Sequence, residues 1–325
     1  MRNPGAFIVA AAAFAALAAP LLSSHTPDDR HPRLLNSPPT IPHIKDDGGQ
    51  WRAPFIYQWR LVNQLEQRFE EDRSTPVPLA WFPRGRIIAS ADESTAPFMP
   101  LGTDSYGRDV WARLLFGARA SLGIALLAAA GAVIVGALLG GVAGYVGGTT
   151  DDALMRATDF VMVLPAMYVA LALRSVLPLV LPPLTVFTLL TAIFAVVGAP
   201  FVARGVRGIV RTERRLEYAA AAEALGASDV RLLVRHLLPA ARGFLAVELT
   251  MLVPAFVVAE ATLSYIGLGF PDPIPSWGTM LHDASNVRVF VDFPWLLSPA
   301  VAMFIVVFGL NLALQGRRPG VESIR

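Results

Sequence analysis

Six stretches of this chain are apolar over a length that forces helix wherever they lie in lipid. They run near 7–22, 122–146, 160–173, 184–202, 244–266 and 296–314. A hydrocarbon core about 30 Å thick takes roughly 20 apolar residues as helix, and each N–H and C=O within it must be bonded inside the segment. The first and third stretches are the short ones. For the first, the small residues of Ala16-Leu17-Ala18 leave a cleaved signal peptide as the alternative to an uncleaved span. Composition agrees with a membrane protein. Of 325 residues 54% are hydrophobic and 16% charged, where soluble domains average about 45–50% and about 25%.

Arginine placement sets the orientation. Residues 204–242 hold eight arginines against Glu213, Glu217, Glu223 and Asp229, and the tail adds Arg317, Arg318 and Arg325. Basic residues in short loops stay in the cytoplasm, so both segments belong there. Six spans then put the N-terminus there too, with 23–119 and 267–295 outside. The expected fold class is an all-α integral membrane protein of six transmembrane helices, with cytoplasmic termini. The expected division is a first transmembrane helix (1–22), an extracytoplasmic insert (23–100), a membrane domain (101–315) and a cytoplasmic tail (316–325).

The insert is a different material, rich in proline and charge (Pro38-Pro39, Asp46-Asp47-Gly48-Gly49) around one segment expected to be helical, 59–72. A loop this long is a folded cap or a docking surface. Trp51, Phe55, Trp59, Trp81 and Phe82 suit partial packing, or a place at the lipid headgroups. No internal repeat is visible.

One cytoplasmic stretch has the properties of a docking element. Leu216-Glu217-Tyr218-Ala219-Ala220-Ala221-Ala222-Glu223-Ala224-Leu225 is strongly helix-forming. Gly226 stops it, as glycine does just past a helix end. Ser228 is placed to cap a second short helix through Leu237, with Asp229 at the positive end of its dipole, and Pro239 precedes the next span. Small alanine side chains let another protein's backbone approach closely. An ordinary amphipathic loop between spans remains the other reading at this point.

Charge within the spans is sparse. Glu248 and Glu260 lie on the fifth stretch, twelve residues apart. At about 100° per residue they fall within roughly a third of a turn of each other. Intramembrane carboxylates face a bundle interior or a water path, although a glutamate bonded to nearby backbone also fits. Arg156 and Asp159 have helical spacing for a pair, and Arg174 is placed at an interface. Pro165 and Pro254 are expected to kink their helices. Glycines 131, 136, 140, 141 and 144 allow close helix approach, with Gly136 and Gly140 in small-xxx-small spacing.

No enzyme constellation survives inspection. Cysteine is absent, which removes disulfides, thiolate metal sites and cysteine nucleophiles. The single lysine, Lys45, stands in Ile44-Lys45-Asp46-Asp47, so no phosphate-cradling Gly-x-x-x-x-Gly-Lys-Ser/Thr loop exists. His-Glu-x-x-His and Gly-x-Ser-x-Gly are also missing. The five histidines (His25, His31, His43, His236 and His282) are scattered, and three of them lie in the insert. No catalytic residue and no metal site is expected.

Four motifs together resemble the ABC importer permeases of the dipeptide, oligopeptide and nickel branch. The coupling-loop pattern matches at Ala220-Ala221-Ala222, Gly226 and Leu238-Pro239, within the wider run Glu217-Tyr218…Gly226-Ala227-Ser228. Gly102-Thr103-Asp104…Gly107-Arg108-Asp109, followed by Gly117-Ala118-Arg119…Ser121, precedes the second span. Glu260 with Gly267-Leu268-Gly269 closes the fifth, and Pro275-Ser276-Trp277-Gly278 lies in the last outer loop. The likeness covers roughly residues 100–315. It implies type I ABC importer permease architecture in the inner membrane and alternating access for peptides or related small solutes. It implies two ABC ATPase subunits bound at the loop, a second homologous permease and an extracytoplasmic solute-binding protein. This chain itself would bind no cofactor, with ATP-Mg on the partner ATPase, and no nucleic acid. It implies a gate or path role for the motifs around Gly102–Asp109, Glu260, Gly267, Gly269, Trp277 and Gly278. Three departures stand out: Ala220 where the family opens its loop motif with glutamate, leaving Glu217 and Glu223 as acidic neighbours; a short tail after Gln315; and a long insert. Two other function classes stay open on the residues alone: an ion-coupled secondary transporter using Glu248 and Glu260, and a membrane-anchored interaction protein working through its insert.

Overall fold

The computed structural model describes residues 4–46, 49–164, 168–169, 171–172 and 181–315. In chain order its elements begin with α1 (Pro4–Leu17) and α2 (Ala19–Leu22). Four strands follow: β1 (His43–Lys45), β2 (Trp51–Asn63), β3 (Arg68–Trp81) and β4 (Ile88–Ser90). The long helices are α3 (Val110–Val146), α4 (Gly148–Val163) and α5 (Pro183–Glu213). After them come α6 (Glu217–Ala224), α7 (Asp229–Arg231) and α8 (Arg242–Tyr265), then α9 (Trp277–Asp283), α10 (Val287–Asp292) and α11 (Ser298–Gln315). Contacts group the chain into two compact units. One comprises Met1–Ala6, Leu122–Leu263 and Val307–Arg325, and the other Phe7–Ser121 and Ser264–Val306.

Among the described residues, four helical stretches are long and apolar enough to cross a membrane: Val110–Val146, Pro183–Glu213, Asp229–Tyr265 and Pro294–Leu314. They contain the expected second, fourth and sixth spans and all but the last residue of the fifth. The apolar helix α1 covers most of the first. The third, 160–173, lies partly outside the described residues, as do Pro165, Arg174 and the tail 316–325. Its described start is the last turn of α4, which begins well upstream at Gly148. Large apolar side chains such as Leu126, Ile134, Leu138, Phe304 and Phe308 are exposed on these helices, a surface suited to lipid.

In the first unit, glycines bring α3 against α5. A Cβ added at Gly136 would lie 2.5 Å from Val202 Cβ, and one at Gly144 would lie 2.6 Å from the Arg207 carbonyl oxygen. Gly140 faces the Ala203 carbonyl in the same way. Backbones this close allow the dispersion contacts that hold helices together where no hydrophobic effect operates. Asp151 of α4 receives a two-pronged Arg207 guanidinium, with Nη2 donating at 2.5 Å. The expected Arg156–Asp159 pair is not what forms. Asp159 pairs with Arg204 of α5 instead, because α4 packs against α5 and brings that guanidinium within reach. Pro254 lies inside α8, and Phe194 stacks on Phe256 with ring centroids 5.4 Å apart.

In the second unit the insert overturns the all-α expectation. It carries a four-stranded antiparallel sheet in the order β1-β2-β3-β4, and the segment expected as helix, 59–72, is the middle of the β2–β3 hairpin. Trp59 pairs with Glu71 and Leu61 with Phe69 across it. Two features explain the outcome. The run Phe55-Ile56-Tyr57-Gln58-Trp59 is aromatic and β-branched and fits a pleated, half-buried surface. Asn63 then turns the chain: its Oδ1 accepts from the Leu65 and Glu66 amides at 3.0 and 3.3 Å, the side-chain turn for which asparagine is favoured. Ile56, Val77, Leu79, Ala96 and Phe98 form the small core beneath the sheet. Of the expected packing aromatics, Phe55 is buried, while Trp51, Trp81 and Phe82 are exposed.

Candidate functional site

The cytoplasm-assigned loop is helix, sharp turn, helix, all within the first unit. Helix α6 ends in a paired bond pattern around Gly226. The Ala227 amide donates to the Ala222 carbonyl at 3.1 Å and the Gly226 amide to the Glu223 carbonyl at 2.9 Å. This is the glycine-terminated helix end in which the residue past the cap is left-handed, and Gly226 has φ +81°. Ser228 occupies the next N-cap position with extended backbone, yet its side chain makes no capping bond. Its carbonyl accepts from Leu232 at 2.8 Å and starts the turn. The second helix is also less regular than expected. It continues from α7 as a wide π-turn (Leu232–Leu237) and a tight 3-10 turn (Leu238–Ala241) before α8. Pro239 accounts for the change, since its missing N–H cannot bond back into an α-helical ladder.

One face of this loop is packed down and the other is free. Ala219, Leu232, Leu237 and Ala241 are buried with Val202, Val206 and Val210 of α5 and Tyr145 of α3. Ala222 and Leu238 pack at the edge of that cluster. The Tyr145 hydroxyl donates to Asp229 Oδ1 at 2.7 Å. The Arg214 guanidinium lies 4.3 Å from the centre of the same ring and donates to the Tyr145 carbonyl. Tyr145 thus ties together the ends of two membrane helices and the second helix of the loop. The outer face presents Glu217, Tyr218, Ala220, Ala221, Glu223, Gly226 and Ser228, with Ala227 half-buried and Pro239 exposed. Leu225 is 89% exposed and Val230 72%. Leucine and valine left this bare, amid alanines, form an apolar surface suited to another protein.

The second unit holds the other motif residues, Glu260 apart, as an interlocked brace. Asp104 closes a turn by accepting from the Tyr106 and Arg108 amides at 2.9 Å each. Gly102 and Gly107 sit where Ser37 and His31 carbonyls cross so closely that an added Cβ would collide with them. The Thr103 hydroxyl donates to the Leu34 carbonyl and accepts from the Ser37 amide at 2.8 Å. Asp109 caps α3, its Oδ1 accepting from Trp111 at 2.9 Å and Ala112 at 3.3 Å. Arg108 is wholly buried and donates to three carboxylates: Asp104 at 2.7 Å, Asp272 at 2.6 Å and Asp283 at 3.0 Å. Arg113 lies 3.6 Å from both Asp104 and Asp283. Burial pushes the Asp283 carboxyl up from its ordinary value, against the pull of the two arginines.

The outer-loop motif docks on the same brace. Ser276 and Thr279 form a reciprocal cap at the start of α9, with the Thr279 amide donating to Ser276 Oγ at 3.2 Å and the Ser276 amide donating to Thr279 Oγ1 at 2.9 Å. Trp277 is buried, its indole donating to the Leu114 carbonyl at 3.1 Å and its amide to Ser121 Oγ at 3.2 Å. Gly278 beside it is buried. Gly267 turns the chain after α8 with φ +82°, and Gly269 returns so closely over Ser264 that a Cβ would not fit. Glu260 is fully buried in α8, while Glu248 is half-buried.

Several functional neighbours lay beyond sequence reasoning. Tyr145, Arg113, Asp272 and Asp283 carry no local pattern, and Asp272 stands 164 positions from Arg108. His25 was visible only as one scattered histidine. It bridges Asp109 at 3.0 Å and Glu93 at 2.8 Å.

Comparison with known proteins agrees with this architecture. Residues 114–316 match the family described as binding-protein-dependent transport system inner membrane component. The oligopeptide transport system permease protein OppC of Bacillus subtilis (strain 168) is 36% identical over 72% of this chain and 75% of its own length. The dipeptide transport system permease protein DppC of Alkalihalophilus pseudofirmus is 35% identical over 68% and 70%. The glutathione transport system permease protein GsiD of Pectobacterium atrosepticum is 32% identical over 68% and 71%. The chain belongs to the family of binding-protein-dependent transport system inner membrane components, as a membrane-spanning permease subunit of an ABC importer.

Proposed function

We propose that this permease imports peptides or related small solutes by alternating access. Relatives named for oligopeptide, dipeptide and glutathione transport support that substrate class. The partners are two ABC ATPase subunits that hydrolyse ATP-Mg, a second homologous permease and an extracytoplasmic solute-binding protein. The observation that carries the reading is the bent 217–239 loop, with Ala219, Leu232 and Leu237 buried on its own helices and Leu225 and Val230 bare. Such a unit can be gripped on one side and move membrane helices on the other. Six spans with both termini in the cytoplasm complete the topology, and 23–100 forms an extracytoplasmic insert. Ala220 offers no charge to an ATPase groove, and Glu217 and Glu223, both exposed, flank it.

Purifying the tagged protein in mild detergent and identifying its companions by mass spectrometry tests this. An ATPase, a second permease and a solute-binding protein are the expected companions. Recovery of this chain alone, with solute-driven proton movement in liposomes, would replace the reading with an ion-coupled transporter.

A further inference from the structure

The insert contains a cavity of about 680 Å³, inside the roughly 300–1,000 Å³ range of small-molecule sites. Its walls are the segment 30–34, strand β2 from Gln58 to Leu61, and parts of 72 and 94–97. Arg30, Arg33 and Arg60 line it, against Asp72 as the one carboxylate of the wall. That carboxylate keeps its charge while its Oδ1 accepts from the Ser74 hydroxyl at 2.6 Å and the Ser74 amide at 3.1 Å, and it attracts Arg60, so the lining keeps an excess of positive charge from three arginines against one carboxylate. Arg30 has one ion-pair partner, Asp272 at 3.5 Å, with both side chains more than half exposed. A pair of that kind is weak and exchangeable. Arg33 and Arg60 have no carboxylate at ion-pair distance among the described residues.

A second observation concerns Trp59. It lines the same cavity and gives it an aromatic wall, while its indole nitrogen is shut off from the open space. Guanidinium forks match planar carboxylates two bonds at a time and shed water more readily than an ammonium. The arginines come from two walls, 30–33 and β2, so a ligand with more than one carboxylate can meet both walls. Between them, Leu34, Leu61 and the Trp59 ring offer apolar contact to a carbon chain.

We propose that this cavity binds an elongated polycarboxylate of the size of a short acidic peptide. The proposal concerns the insert alone and does not depend on which solute the importer moves. The test is calorimetric titration of the full chain in lipid nanodiscs with tri-glutamate, with amidated tri-glutamine and inorganic phosphate as separate probes. Wild type should bind tri-glutamate saturably. Amidated tri-glutamine and phosphate should each bind at least ten-fold more weakly. The double variant Arg33→Gln/Arg60→Gln, both positions being exposed, should lose at least ten-fold in tri-glutamate affinity with an unchanged melting temperature. Undiminished affinity in that variant, phosphate binding as tight as tri-glutamate, or no saturable binding by wild type would each overturn the assignment. The assay contains no ATPase and no transport step, so its failure leaves the importer reading untouched.

Discussion

Burial favours neutral imidazole, yet His25 sits almost fully enclosed between two carboxylates. It is 6% exposed, 3.0 Å from Asp109 and 2.8 Å from Glu93, with the His31 ring edge-on at 5.1 Å. Desolvation lowers its pKa, and the bonds to Asp109 first and Glu93 second outweigh it, holding the group up to about 9 from 6.5. His31 is pushed down instead, by burial and by the charge on His25. A folded-state pKa raised above its unfolded value gives stability that is complete below the unfolded pKa and is lost as pH rises through the folded one. The shift corresponds to roughly 3 kcal/mol, an order-of-magnitude figure. The melting temperature of the detergent-purified protein should therefore fall between pH 6.5 and pH 9, and His25→Gln should flatten that fall. An identical slope in the variant would remove His25 from the account. Arg108 sets a larger stake, because Arg108→Gln leaves Asp104, Asp272 and Asp283 with only the more distant Arg113, 3.6 Å from Asp104 and Asp283, and the exposed Arg30, 3.5 Å from Asp272, to offset them. Breaking a buried pair from one side costs about 3–5 kcal/mol. Thermal unfolding should show a loss of that size, and a loss under about 1 kcal/mol, the level of a surface pair, would mean that solvent reaches the network.

At the scale of elements, the bent loop 216–239 was legible because its signals are local: an alanine run, one glycine, one proline. Gly226 is the position where those signals have a measurable consequence. Its φ of +81° is open to glycine and to asparagine, while a β-branched residue there is strained by roughly 1–2 kcal/mol and straightens the turn. In a reconstituted complex, Gly226→Val should keep ATP hydrolysis and lose most uptake, and Gly226→Asn should retain uptake. Equal uptake in both variants would sink the idea that the bend transmits force. Tyr145→Phe tests the other end of the lever by deleting the 2.7 Å bond to Asp229 while keeping the ring under Arg214. Its expected signature is a lower uptake-to-hydrolysis ratio with unchanged folding. The insert was misread for the opposite reason. Residues 59–72 hold glutamate, glutamine and arginine, good helix formers, and their strand character depends on Asn63 turning the chain so that Leu61 meets Phe69. Likewise Ser228 had the right place for a cap, but no spacing rule reports that its side chain leaves the backbone unbonded.

Over the whole molecule, what sequence reads best is the solvent each segment requires, and what it reads worst is which distant groups meet. Apolar length found four helices long enough to span among the described residues. The brace that joins Arg108 to Asp272 and Asp283 had to be seen in three dimensions. Topology lies between these cases, since it rests on arginine bias and on the parity of the six expected spans. The chain offers a clean way to decide it. It has no cysteine, so each introduced thiol is the single reactive site. Leu65 at the tip of the β2–β3 hairpin is 87% exposed and Leu225 in the coupling loop is 89% exposed, so neither substitution disturbs a packed core. A membrane-impermeant maleimide applied to intact cells, with the outer membrane permeabilised where there is one, should label Leu65→Cys and spare Leu225→Cys. Inside-out vesicles should reverse the pattern. Labelling of both thiols from one side would put insert and coupling loop on the same face, and an ATPase gripping the loop could then not share the permease with a binding protein docking across the membrane.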